Sequence, residues 1–211
     1  MPRIKRAIDY IKALSLSENF EKQLLGNKLE SQYIEWTKTL SLQDFLTFNK
    51  TIQENRALIG AAQFFGKFRA YAFEEYVYRL LQTKICIPKP LQLFWGEKCL
   101  VWKKYAMEFD VVIGVKTNLF VKPTMVFDAK IELDSARLKT ALAPFVILKN
   151  WNSKAKCFLI YIVREVDSAF LELAKNWIDG IFQFSSKNDE TDTFINCIAD
   201  LLSKVSKAYF N

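Results

Sequence analysis

Two strand-like apolar runs constrain this chain more than any other feature, because charge interrupts each of them: FDVVIGV at residues 109–115 and MVFDAKI at 125–131. At the two-residue period of a strand, Val126, Asp128, Lys130 and Glu132 share one face, while Met125, Phe127, Ala129 and Ile131 fill the other. The runs flank a loop at 116–123, and an antiparallel hairpin centred near residue 119 pairs positions whose numbers sum to about 238. That register sets Asp110 opposite Asp128, with Lys130 beside them. Two carboxylates this close repel, so the arrangement is stable when a divalent cation or the lysine neutralises it. An ordinary surface pair between Asp128 and Lys130 is the bland alternative. Against it, Lys130 is the one lysine with an acid two positions before it, and it falls inside a core run.

Histidine is absent from the 211 residues, which removes imidazole acid–base catalysis, Ser-His-Asp and Cys-His machinery and His-ligated zinc. Six glycines form no GxGxxG or Walker-type phosphate loop. Cys86, Cys99, Cys157 and Cys197 form no CxxC pair and sit mostly among apolar neighbours, as buried thiols in a reducing compartment would. Carboxylates with an oxygen-loving cation such as Mg²⁺ are the simplest chemistry left. With 51% hydrophobic residues the chain can build a sizeable core, yet no apolar run approaches the ~18 residues that span a bilayer. A soluble intracellular (cytoplasmic) protein with no membrane partner is expected. Charge is uneven: residues 59–166 carry 17 basic and 9 acidic side chains, whereas 167–211 carry 4 and 7. The basic excess around an acidic site suits a polyanion such as nucleic acid.

Three regions are expected: a helical extension at 1–58, a core at 59–166 and C-terminal helices at 167–211. In the first, Ser15/Glu18 and Ser41/Asp44 look like capping boxes and Gly26 like a helix stop. From Gly60 follow a long helix, a break at Pro88 and Pro90, and three strand-like runs at QLFWGEKCLVWKK, EFDVVIGV and TMVFDAKIEL. A helix at about 135–149 comes next, then CFLIYIV, apolar enough to be buried on both faces. Helices are expected at 168–182 and 192–208. The fold class is therefore α/β, with one mixed sheet flanked by helices.

An αβββαβ core with an acid on its first helix, Asp on the second strand and (D/E)-x-Lys on the third resembles the PD-(D/E)XK nuclease superfamily, the restriction-endonuclease-like fold. FEEYVYRLL, FDVVI and FDAKIEL carry the resemblance, over roughly residues 60–165. Length and layout are also similar to archaeal Holliday-junction resolvases and to small nucleases of archaeal spindle-shaped viruses. Phe109 stands where the superfamily usually has Pro, and the helix after the third strand offers Asp134, Arg137 and Lys139 where RecB-like relatives carry Gln. The resemblance implies a metal-dependent DNA nuclease giving a 5′-phosphate and a 3′-hydroxyl, with a catalytically silent DNA-binding protein of the same fold as the alternative. It further implies that Asp110, Asp128, Glu74 and the Ala129 carbonyl hold Mg²⁺ or Mn²⁺ and that Lys130 orients the attacking water. Junction-cleaving relatives act as dimers, which implies a homodimer by analogy.

Adjacent glutamates 74 and 75 cannot face the same way on a helix. Glu74 has Ala70, Tyr71, Val77 and Tyr78 as helical neighbours and is the better ligand; Glu75 has Arg79 at i+4, a surface pair. Arg69, Lys103, Lys104, Arg137 and Lys139 are candidate phosphate contacts, and Trp95, Trp102 and Tyr105 candidates for base stacking.

Overall fold

The computed structural model describes residues 6–102 and 105–210. The chain divides into two compact units between Arg79 and Leu80, within one helix.

The first unit holds α1 (Ala7–Ser15), α2 (Phe20–Thr39), α3 (Leu42–Glu54), α4 (Arg56–Ile59) and most of α5 (Ala62–Lys84). Ser41 caps α3 as expected, its hydroxyl accepting from the Asp44 amide at 3.3 Å. Ser15 does not cap α2; it closes α1, and Asn19 takes the cap by accepting from the Lys22 amide. Gly26 does not stop a helix either. It sits in the middle of α2 where α1 comes so close that a Cβ would strike the backbone of Ser15, so the missing side chain serves packing. An aromatic core of Tyr33, Trp36, Phe45, Phe48, Phe73 and Tyr76 joins α2, α3 and α5, with ring centroids 4.6–6.5 Å apart. Each buried ring contributes about 1.5–3 kcal/mol.

Beneath that core lies a buried carboxylate. Glu75 is 1% exposed and accepts from the Tyr33 hydroxyl at 2.6 Å, the Arg79 guanidinium and the Ala7 amide. The expected pairing with Arg79 exists, but as part of a buried junction of α1, α2 and α5 rather than on the surface. Burial, reinforced by that hydrogen bond, pushes the Tyr33 phenol up to about 12.

The second unit is a seven-stranded mixed sheet: β1 (Gln92–Trp95), β2 (Lys98–Trp102), β3 (Tyr105–Glu108), β4 (Val111–Lys116), β5 (Val121–Leu133), β6 (Lys156–Arg164) and β7 (Gly180–Gln183). Helix α6 (Ser135–Trp151) precedes β6, α7 (Ser168–Ala174) follows it, and α8 (Thr191–Phe210) ends the chain. The run expected as one strand from Gln92 breaks at Gly96, whose φ of 59° turns the backbone, and gives β1 and β2. Residues 168–182 are not one helix. After α7 the Gly180-Ile-Phe-Gln segment pairs parallel with β6, with Phe158 opposite Gly180, where a Cβ would crowd the Phe158 and Phe182 rings.

β5 is the central strand, antiparallel to β4 and parallel to β6, and meets β2 at Val121. One of its faces packs Val126 with Val112, Cys157, Leu159 and Tyr161 beneath Leu138, Ala141 and Phe145 of α6. The other sets Phe127 against Phe158 at 5.2 Å and Phe194 of α8 at 5.9 Å. Residues 157–162 of β6 are all buried, in keeping with a strand covered on both sides. Asp179 pins the start of β6, accepting from the Cys157 amide and pairing with Lys149 and Lys156. Burial opposes ionisation of Asp179, but these partners outweigh it and hold its carboxyl below its ordinary range. Cys99 and Cys157 are buried, their thiols pushed up to about 12 by that burial, whereas Cys86 is exposed. Among the described residues no helix is long and apolar enough to cross a membrane.

Candidate active site

The β4–β5 ladder pairs Val111 with Phe127, Val112 with Val126 and Ile113 with Met125, each summing to 238. Beyond Ile113 a bulge changes the register, so that Gly114 faces Pro123 and Thr124 is left over. Gly114 is required there, because a Cβ would collide with the Lys122 carbonyl. Upstream of the bulge the register brings Asp110 to the side of Asp128.

The Asp110 carboxylate accepts from the Ala129 amide at 2.8 Å and lies 3.8 Å from the Lys130 ammonium. Lys130 is also in ion-pair contact with Asp128 Oδ1. That oxygen is buried, and the Lys130 ammonium is its partner. The three side chains remain partly open to solvent, at 25% for Asp110, 14% for Asp128 and 22% for Lys130. Burial first, and then the Asp128 charge, push the Asp110 carboxyl up to about 6 against the opposing pull of Lys130 and the Ala129 amide.

The Ala129 amide points toward Asp110, and the carbonyl of the same residue is the backbone donor that the resemblance implies. Two carboxylates and a backbone carbonyl are hard oxygen donors, and the Lys130 ammonium already stands against Asp128 Oδ1 as the cation that offsets the two acids. This donor set fits Mg²⁺ or Mn²⁺, which need only one or two protein carboxylates alongside water and phosphate oxygens. Among the described residues no three His, Cys, Asp or Glu side chains form a ready-made cage.

The other expected residues fall in several places. Glu74, on α5 in the first unit, is buried at 9% exposure. Arg69 is not a surface contact: at 8% exposure its guanidinium donates to Asn49 and lies over the Phe65 ring. Lys139 is exposed, its ammonium over Phe170. Arg137 is half-exposed beside Glu132 and Asp134. Tyr105 is 55% exposed, and Trp95 is half-buried. Lys103 and Lys104, and the side chain of Trp102, lie outside the described residues. The contact of Glu132 with Arg137 was not anticipated, although Glu132 shares the strand face of Asp128 and Lys130.

No protein-family model matches the chain, and no curated protein matches it significantly. Among solved structures it is similar to BbvCI, determined as a native A2B2 tetramer, with a TM-score of 0.54 and 12% identity over 96% of this chain and 95% of that one. A structure of the restriction endonuclease PspGI with substrate DNA gives a TM-score of 0.41 and 12% identity over 92% and 94% of the two chains. The fold is restriction-endonuclease-like, a mixed sheet flanked by helices.

Proposed function

We propose that this protein is a divalent-metal-dependent DNA nuclease that hydrolyses phosphodiester bonds to a 5′-phosphate and a 3′-hydroxyl. One observation carries the proposal: Asp110, Asp128 and Lys130 meet at the open end of the β4–β5 ladder in a restriction-endonuclease-like fold. Asp110, Asp128 and the Ala129 carbonyl hold Mg²⁺ or Mn²⁺, with Glu74 as the further acid that the sequence resemblance supplies. The bound cation contributes Lewis acidity toward a phosphoryl oxygen and a more acidic water.

The chain's own groups do the rest. The Ala129 amide fixes the Asp110 carboxylate in one orientation. Lys130, restrained between two acids, orients the attacking water and offsets charge developing on the phosphate. A flexible lysine on a bare surface would do neither. The basic surplus of residues 59–166 draws the polyanion toward the acids. Junction-cleaving relatives act as dimers, so a homodimer accords with this reading by analogy, whatever DNA structure is the preferred substrate. Nicking of plasmid DNA in Mg²⁺, abolished by EDTA, tests the proposal, and binding of labelled DNA without cleavage under any divalent metal would replace it with a silent DNA-binding protein.

A further inference from the structure

Arg137 is held by two carboxylates from different elements. Its Nη1 lies 3.1 Å from Asp134 Oδ2 and 3.6 Å from Glu132 Oε2. Asp134 is itself fixed as the N-cap of α6, its Oδ1 accepting from the Arg137 amide at 2.7 Å. Glu132 follows Lys130 by two positions on β5, and one strand repeat is roughly 7 Å.

Among the described residues both acidic contacts of the Arg137 side chain use Nη1. The Nε and Nη2 edge is therefore left for another partner, and this edge makes the parallel two-donor fork to a phosphate. At 46% exposure the side chain can reach a ligand from solvent. We infer that Arg137 is a pre-oriented phosphate clamp one nucleotide from the phosphate addressed by Lys130, and that Glu132 is its positioning residue. The inference rests on the nuclease proposal for the identity of the polyanion and goes beyond it in giving an acid a part in binding an anion.

The sign of one substitution separates this from bulk electrostatics. Removing the Glu132 charge should tighten DNA binding if charge alone counts, and loosen it if Glu132 aims the guanidinium. Fluorescence polarisation of labelled duplex DNA across a salt series, in Ca²⁺, and steady-state cleavage in Mg²⁺ provide the readouts. Glu132→Gln is expected to weaken binding about three- to ten-fold with the salt slope unchanged, and to raise KM by a larger factor than it lowers kcat. Arg137→Gln should weaken binding about ten-fold and reduce the salt slope by about one, whereas Arg137→Lys should keep the slope without restoring affinity.

Tighter binding by Glu132→Gln, or full rescue by Arg137→Lys, overturns the clamp. If Glu132→Gln does not fold, the comparison of Lys with Gln at position 137 decides alone. A wild-type protein that binds DNA with this mutational pattern but never cleaves it would sink the nuclease proposal and leave the clamp standing. A wild-type protein that does not bind DNA sinks both.

Discussion

The Asp110 carboxylate takes the Ala129 amide at 2.8 Å, the bond that the backbone of residue 109 would have made had the β4–β5 ladder run one step further. An acid thus replaces a carbonyl at the end of a ladder, and the sheet itself sets its position relative to Asp128 and Lys130.

Asp110→Asn and Asp128→Asn are each expected to abolish Mg²⁺-dependent plasmid nicking while DNA binding stays level or tightens, because each removes a negative charge facing phosphate. The asparagine at 110 can still accept from Ala129, so the sheet should hold. Lys130→Ala should lower the rate by a hundred-fold or so, on the scale of one lost electrostatic donor. Lys116→Ala, which loses a surface pair with Glu97 and a contact over the Phe94 ring, both away from the acids, should leave the cleavage rate near wild type. Nicking by Asp128→Asn at the wild-type rate would remove the site.

The raised pKa of Asp110 sets a pH dependence whose sign is opposite to that of a salt-bridged acid. The folded state holds its proton up to about 6, whereas the unfolded chain gives it up near the ordinary value of 3.8. The folded state therefore binds more protons between these limits, and stability in EDTA falls as pH rises from about 4 to about 6. Asp110→Asn should flatten that part of the profile, which thermal melts in EDTA across the range would show. An unchanged profile in the mutant would place the titration elsewhere.

Glu75→Gln should destabilise the helical unit by about 2 kcal/mol, since it removes the buried charge that the Tyr33 hydroxyl and the partly exposed Arg79 guanidinium both face. Its mark is a lower urea midpoint. Glu74→Gln is expected to show the reverse balance, with weaker Mg²⁺-supported cleavage and a smaller loss of stability. Loss of activity confined to the Glu75 variant, with both proteins equally stable, would assign the ligand to the wrong glutamate.

Gly114→Ala should cost about 1–3 kcal/mol, because the neighbour it strikes is the Lys122 carbonyl and not a side chain that can rotate away. Urea denaturation gives the cost directly. A neutral substitution would mean that the bulge relaxes freely.

The hairpin register was legible because period and loop length together leave little choice: the pairs nearest the site sum to the expected value. The bulge at Gly114 was not, since a single leftover residue alters neither alternation nor composition. Gly26 and Gly96 show the same limit from opposite directions. A glycine's absent side chain can serve packing or a turn, and the sequence does not say which; Gly26 proved to be packing and Gly96 a turn. Arg69 and Glu75 were placed on the surface by their charge, yet both found buried polar partners far along the chain, Asn49 and Tyr33. Local periodicity cannot see such pairs. The strand at 180–183 was hidden because four residues beside an amphipathic helix are too few to show a period of two.

The bulge divides the hairpin into two mechanically separate halves. Asp110 and Asp128 lie on the side braced by β6, where Asp128 is opposite Leu159, while the turn at 117–120 lies on the other. Lengthening or replacing that turn shifts only the outer pairs, so the loop is free to diversify, or to be exchanged for another, without disturbing the spacing of the acids.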